Sequence, residues 1–247
     1  MFLDGASPLN RRLYEGDQFS FACHSGLACY NTCCRNKHLP LTPYDVMRLK
    51  NALGLHSDDF LARYTLYTTD PRSGFPVLSL KMGDDSDKVC PFVGPEGCRV
   101  YDDRPMACRL FPLGRSVGNR GETKKGEVCF YLLETPYCLG TKEKRIWTVK
   151  EWVNDQGLRP YTSMSDSMVH LLLHPRRKGN DRLDDLQIQK LFVACYNVDV
   201  FRDFVFKTAF FELFGVAENT RAAIQSDDQA LLKLGLAYLK RTLFPKS

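Results

Sequence analysis

The cysteines constrain this chain more than any other feature. Ten occur in 247 residues, and nine lie between Cys23 and Cys138, leaving only Cys195 in the C-terminal part. A small secreted scaffold stapled by disulfides would carry a higher density, and a chain this long can build a core without covalent staples. In a reducing compartment such thiols stay free and serve as metal ligands or redox groups. The asymmetry therefore assigns the chemistry to the part of the chain that ends at Cys138.

Composition narrows the remainder. A hydrophobic fraction of 44% with 12% aromatic residues is enough to fill a core, which excludes disorder as the main description. Thirty-four basic against twenty-nine acidic side chains leave a net +5 without a basic tail or stripe, so nucleic acid is not an expected partner. The best apolar run, Phe201 to Phe214, is interrupted by Arg202, Asp203, Lys207 and Glu212, so no membrane span is expected. Asp4 stands where a signal peptide would keep an apolar stretch, and the expected location is the cytoplasm.

The pattern predicts an α+β protein in two parts. Residues 1–145 read as a cysteine-cluster, loop-rich metal-binding domain with a β-hairpin and short helices. Residues 146–247 read as a mainly helical region, packed with the first part or separate from it. After an irregular lead-in to about residue 20, Thr42, Pro43 and Asp45 mark a helix start and Gly54 a stop. Asp58 and Asp59 favour a second helix start after Ser57. Runs over 75–82 and 88–93 read as a hairpin around the turn 83–86 that delivers Cys90, and the turn 94–97 delivers Cys98. Thr123 to Gly126 is polar and expected to be exposed, and 127–133 reads as a strand. Thr148 and Glu151 form a capping-box pattern ending near Gly157, and helical spacing recurs over 164–174, 183–196, 199–214 and 227–244.

The first cysteine cluster is Cys23-x5-Cys29-x3-Cys33-Cys34. Four thiols in so short a loop, with Gly26 and Asn31 among them, can wrap a small ion; four unrelated buried thiols would be the alternative. Cys33-Cys34 is a poor disulfide, because closing so small a ring strains the peptide between them. If that stretch is extended, the two side chains oppose each other and serve different metal sites or different irons of one cluster.

The second cluster runs Cys90-Pro91-Phe92, Cys98, Arg104-Pro105 and Cys108-Arg109. Thiolates around a cation leave excess negative charge, which Arg99, Arg104 and Arg109 can offset while donating hydrogen bonds to sulfur. Pairing of these arginines with Asp102 and Asp103 on a solvated surface is the competing reading. Cys138 sits in a turn-like context that suits a ligand. Cys129 and Cys195 lie in apolar runs and read as core, and His24 reads as solvent-facing. His170 and His174, one helical turn apart, lack a third ligand and read as structural.

With these motifs together, the chain resembles the YkgJ-type cysteine-cluster proteins, which carry a zinc- or iron-chelating CxxCxxCC domain. The resemblance rests on Cys23, Cys29, Cys33-Cys34, Leu41-Thr42 with Asp45, Cys90-Pro91-Phe92, Cys98 with Tyr101, Arg104-Pro105 and Cys108-Arg109. The first cluster departs from the family spacing, with gaps of five and three residues in place of two and two. The resemblance implies metal binding, with Cys138 as an additional ligand found in longer members. The same domain occurs in bacterial flagellin lysine N-methylases, so a metal-dependent enzyme acting on protein lysine is a second reading, although no Gly-rich cofactor turn accompanies it. A third is a protein-interaction module docking through the C-terminal phenylalanines, with metal in a structural role.

The leading expectation is a cytoplasmic metal-binding protein using Cys23, Cys29, Cys33, Cys34, Cys90, Cys98, Cys108 and Cys138. All-sulfur ligation selects zinc or iron, including an iron–sulfur cluster, over magnesium or calcium.

Overall fold

A computed structural model describes residues 11–71, 74–117, 128–133, 135–172 and 182–244. The expected exposure of Thr123 to Gly126 and the His170–His174 pair involve residues outside that set. In chain order the elements begin with β1 (Arg12–Leu13), β2 (Gln18–Ser20), β3 (Pro40–Leu41), α1 (Pro43–Ala52), α2 (Ser57–Tyr64), β4 (Thr65–Thr69) and β5 (Pro76–Leu80). There follow β6 (Val93–Gly94), β7 (Gly97–Cys98), α3 (Met106–Leu110), β8 (Leu113–Val117), β9 (Val128–Leu132) and β10 (Ile146–Thr148). The rest is helical: α4 (Val149–Asp155), α5 (Arg159–Leu172), α6 (Asp185–Cys195), α7 (Val198–Lys207), α8 (Phe210–Phe214), α9 (Glu218–Ile224) and α10 (Asp228–Leu243). The protein is α+β, with its helices mostly C-terminal. Among the described residues no helix is long and apolar enough to cross a membrane.

The chain forms two compact units, each built from two stretches. The first takes the described residues up to Leu39 together with Met82–Thr162, and the second takes Pro40–Lys81 together with the described residues from Ser163 onward. Composition suggests one boundary near residue 145; the structure groups residues 40–81 with the C-terminal helices.

The first unit is organised around Trp152. Its ring meets Phe19, Phe21 and Trp147 edge-on at centroid distances of 6.0, 5.4 and 5.2 Å. Its indole N–H donates to the Leu110 carbonyl at 3.1 Å, which lets a polar atom be buried without loss. Leu13, Leu113, Phe130, Val149 and Leu158 complete the core. The antiparallel sheet β1-β9-β8 supplies Leu13 and Phe130 as direct cross-strand partners, and β2 pairs with β10, setting Phe19 opposite Trp147. Helix α4 starts where the sequence places it, with the Thr148 and Glu151 side chains capping each other's backbone N–H.

The second unit contains the sheet β3-β5-β4, and α1 opens on the expected Thr42–Asp45 capping box. The hairpin expected over 75–82 and 88–93 does not form. Four of five residues of β5 are buried, so it takes a central place between β3 and β4. In the first unit, Lys88 has a positive φ of 46° and Pro91 lacks an N–H, so 88–92 contributes only an isolated bridge between Val89 and Arg35, and Val93 opens the separate short strand β6. Strand β4, rich in threonine with Leu66 and Tyr67, is an element that the sequence reading lacks. The helical pattern over 199–214 breaks at an extended Thr208, because Phe201 and Phe210 both turn into the core, 6.0 Å apart and edge-on. Of the phenylalanines considered as a docking surface, Phe201 and Phe210 are buried, whereas Phe204 and Phe206 are each 40% exposed.

Candidate metal centre

All eight cysteines singled out as ligands lie in the first unit. Three local devices gather them. The loop bearing Cys29 to Cys34 tightens into a 3-10 turn at Thr32–Cys34, entered through a left-handed Asn31. The neighbouring β6-β7 hairpin docks on this loop: Tyr30 Oη donates to the Glu96 carbonyl at 3.3 Å and Asn31 Nδ2 to the Gly94 carbonyl at 3.4 Å. Gly97, at a φ of 117°, turns the hairpin just where a side chain would meet Tyr30 Oη at 2.6 Å. This brings Cys98 to the first cluster. Cys90 arrives by a different bond, its N–H donating to the Cys34 carbonyl at 2.8 Å.

The segment around Cys138 lies along residues 21–23. Phe21 and Ala22 donate their N–H groups to the carbonyls of Arg145 and Gly140 at 2.9 and 3.1 Å. A Cβ on Gly140 would fall 2.5 Å from the Ala22 carbonyl oxygen, a backbone atom that cannot step aside. Gly140→Ala is accordingly expected to cost about 1–3 kcal/mol and to pull Cys138 away from Cys23, measurable by denaturant unfolding and by reactivity of the Cys138 thiol.

The pair Cys33-Cys34 does not lie in an extended stretch. It forms a helical turn, so the two sulfurs lie on one side, 4.0 Å apart. Two ligands of one tetrahedral zinc, each about 2.3 Å from it, would stand about 3.8 Å apart. The premise that placed these cysteines in different sites is therefore absent.

The remaining thiols share one electrostatic neighbourhood. Partial desolvation pushes the Cys23 thiol up, and the charges of Cys33, Cys138 and Cys29 push it further. Cys34 is held far above the usual thiol range, first by its hydrogen bond to Cys33, then by burial and by the charges of Cys33, Cys90 and Cys108. Cys33 moves the other way, to about 6: the hydrogen bond with Cys34 outweighs burial, with help from its own backbone N–H, Lys37 and Arg104. The hydrogen bond between the two sulfurs thus favours the thiolate at Cys33 and the thiol at Cys34. Burial raises Cys90 and Cys98 as well, opposed at Cys90 by the backbone N–H groups of Phe92 and Val93 and at Cys98 by that of Val100. Leu139 N–H donates to Cys29 Sγ at 3.3 Å. Backbone amides aimed at sulfur stabilise thiolates, the form that binds metal.

Among the described residues no three His, Cys, Asp or Glu side chains already converge on one point. The donor set nonetheless fits a thiophilic cation, and an unpaired donor adds to that fit. Arg104 Nε is buried with no hydrogen-bond partner. Its guanidinium stacks 3.9 Å over Tyr101, donates through Nη2 to Gln156 Oε1, and lowers the thiols of Cys23, Cys33 and Cys98 by its charge. Arg109 occupies a different environment: it donates to the carbonyls of Arg104 at 3.1 Å, Gln156 at 2.8 Å and Asp102. Arg99 donates to the Pro91 carbonyl at 2.6 Å.

Cys108 lies within α3 and Cys138 just before the 3-10 turn Leu139–Lys142. Cys129 and Cys195 are fully buried, and His24 is exposed with Glu143 3.9 Å away. Lys37 escaped the sequence reading. Its ammonium donates to Tyr137 Oη at 2.7 Å and lowers Cys33 by its charge. Its place three residues after Cys34 is the only sequence signal for it, and a lone lysine there is too common to be informative.

Residues 22–138 match the CxxCxxCC family, described as "Putative zinc- or iron-chelating domain". No curated protein and no solved structure matches the chain. The stretch that resembles the CxxCxxCC family, residues 22–138, holds all eight clustered thiols.

Proposed function

We propose that this protein holds zinc or iron through the thiolates of Cys23, Cys29, Cys33, Cys34, Cys90, Cys98, Cys108 and Cys138, with Cys33 and Cys34 addressing one centre. The observation that carries this reading is the 4.0 Å sulfur separation in the Cys33-Cys34 turn, with Cys23, Cys90, Cys98 and Cys108 in electrostatic reach of the pair and Cys29 and Cys138 in reach of Cys23. Bound metal would supply positive charge that ties the loops together, and an iron–sulfur cluster would add one-electron chemistry. The chain's own part is to present thiolates. The amides of Leu139, Phe92, Val93 and Val100 hold sulfur from behind, and Lys37 and Arg104 offset the accumulated negative charge.

Arg104 Nε is the donor that a loaded centre would satisfy, and Arg109 fixes Arg104 through its carbonyl. Arg104→Lys keeps the charge and removes the Nε donor and the stack on Tyr101. It is expected to weaken metal retention about 10–100-fold in competition with a chelator of known affinity. Unchanged retention would return Arg104 to a purely packing role.

Purification without oxygen tests the proposal as a whole. A brown protein with stoichiometric iron and sulfide means a cluster, and a colourless one with stoichiometric zinc means zinc. Protein that carries neither metal and binds neither on addition overturns the reading.

A further inference from the structure

We infer that the first unit carries a second binding site, a cavity for a small organic anion with an apolar body. The cavity has a volume of about 780 Å³, within the range of about 300–1,000 Å³ usual for small-molecule sites, and no cysteine lines it. Val128 and Phe130 of β9 and Val153 of α4 give it an apolar wall. Arg115, Lys150 and Arg159 bring three cationic groups to it, against Glu15 as the one carboxylate among the described lining residues.

The fold explains why these groups meet. Arg115 of β8 is the direct cross-strand partner of Phe130, so the two side chains share one face of the sheet. Lys150 and Val153 are three residues apart on α4 and share a helix face. Lys150 N–H donates to the Glu15 carbonyl at 3.0 Å, which pins the Tyr14–Gly16 loop as a side wall. Arg159 donates through Nε to Asn154 Oδ1 at 3.1 Å, which orients the guanidinium. Neither Lys150 nor Arg159 has a carboxylate partner among the described residues. The like charges of Lys150 and Arg159 at one concave surface repel each other, and an oxyanion between them relieves that repulsion. Guanidinium forks match carboxylate and phosphate oxygens, and the apolar wall selects an anion carrying a hydrocarbon or aromatic body over a bare ion.

The test is calorimetric titration of the full chain with phenyl phosphate, benzoate, inorganic phosphate and phenol. Phenyl phosphate or benzoate should bind at least about tenfold more tightly than either phosphate or phenol, and whichever of the two prevails identifies the oxyanion. Lys150→Gln and Arg159→Gln alter exposed side chains, so both should fold, and each should weaken the preferred probe about fivefold. Glu15→Gln removes the opposing charge and should tighten it severalfold. The inference is overturned if neither aromatic anion binds at millimolar concentration, if phenol binds as well as they do, or if the Lys150→Gln/Arg159→Gln double variant binds them unchanged.

Discussion

Cys33→Ser is expected to empty most of the metal centre and to expose the loops around it to protease. A structural zinc site contributes an apparent ~10–16 kcal/mol at neutral pH, whereas a folded domain keeps only about 5–15 kcal/mol in total. Cys33 is the position to test because its sulfur is 4.0 Å from that of Cys34, and its charge is felt by Cys23, Cys90 and Cys98. The loss should nevertheless be local. The core around Trp152, with Leu13, Phe19, Leu113, Phe130 and Leu158, has its own apolar burial, and of the eight thiols Cys138 alone packs against it. Cleavage is therefore expected first within residues 23–34 and 90–108, with the β1-β9-β8 sheet and α4 persisting longer. Limited proteolysis followed by mass mapping reads this directly. Cys195→Ser serves as the control: that thiol is fully buried in the second unit, so metal content should stay unchanged. Metal-free protein that resists protease along its whole length would mean that the ions are cargo and not structural.

A comparable effect is expected in the second unit, where Lys50→Met should cost about 3–5 kcal/mol. Lys50 is only 5% exposed, and its ammonium meets Asp199 at 3.1 Å and Asp228 at 2.9 Å. Methionine matches the shape of the stem and removes the charge, leaving two carboxylates near each other in a largely desolvated place. Arg202 still holds Asp228, and the Ser57 N–H and hydroxyl still donate to Asp199 at 2.8 and 2.7 Å, so the unit should survive the change.

The pH dependence follows from Asp199. Burial pushes its carboxyl up, but the hydrogen bonds from Ser57 and the bond and charge of Lys50 outweigh this, leaving it below the usual carboxylate range. Its contribution to stability is therefore present above the unfolded value near pH 4, and is lost as pH falls through the lower folded value. Without Lys50 that depression is smaller. The deficit of Lys50→Met against the parent should shrink as pH drops from 7 toward 3, measured by urea unfolding. A constant deficit across that interval would show that packing around the stem, and not charge, carries the effect.

Particular residues show how far the sequence could be read. Thr42 with Asp45 and Thr148 with Glu151 were legible as helix starts, because a capping box is a contact between residues three apart and needs no distant partner. The burial of Cys129 and Cys195 was legible from their apolar neighbours. The hairpin over 75–93 was not. Its first strand found better partners in β3 and β4, a choice made by which faces must be buried. Nor did the sequence reveal Arg109 gripping three carbonyls, since a hydrogen bond to backbone leaves no mark on the identity of the residue it reaches.

By itself, then, the sequence determined the composition of the candidate centre. Eight thiols among nine between Cys23 and Cys138, with arginines beside them, define a soft, electron-rich donor set whatever the path of the chain. It also determined the local helix starts, which are set by short-range chemistry. Tertiary structure alone decided the grouping. The turn at Thr32–Cys34 put neighbouring sulfurs on one side, Tyr30 and Asn31 drew Cys98 in, and the close approach of Gly140 to Ala22 brought Cys138 to Cys23. The same level assembled Arg115, Lys150 and Arg159 around one cavity from a strand and two helices. Spacing along a chain fixes which groups can be neighbours within a turn or two; which distant groups meet depends on where each segment buries its apolar face.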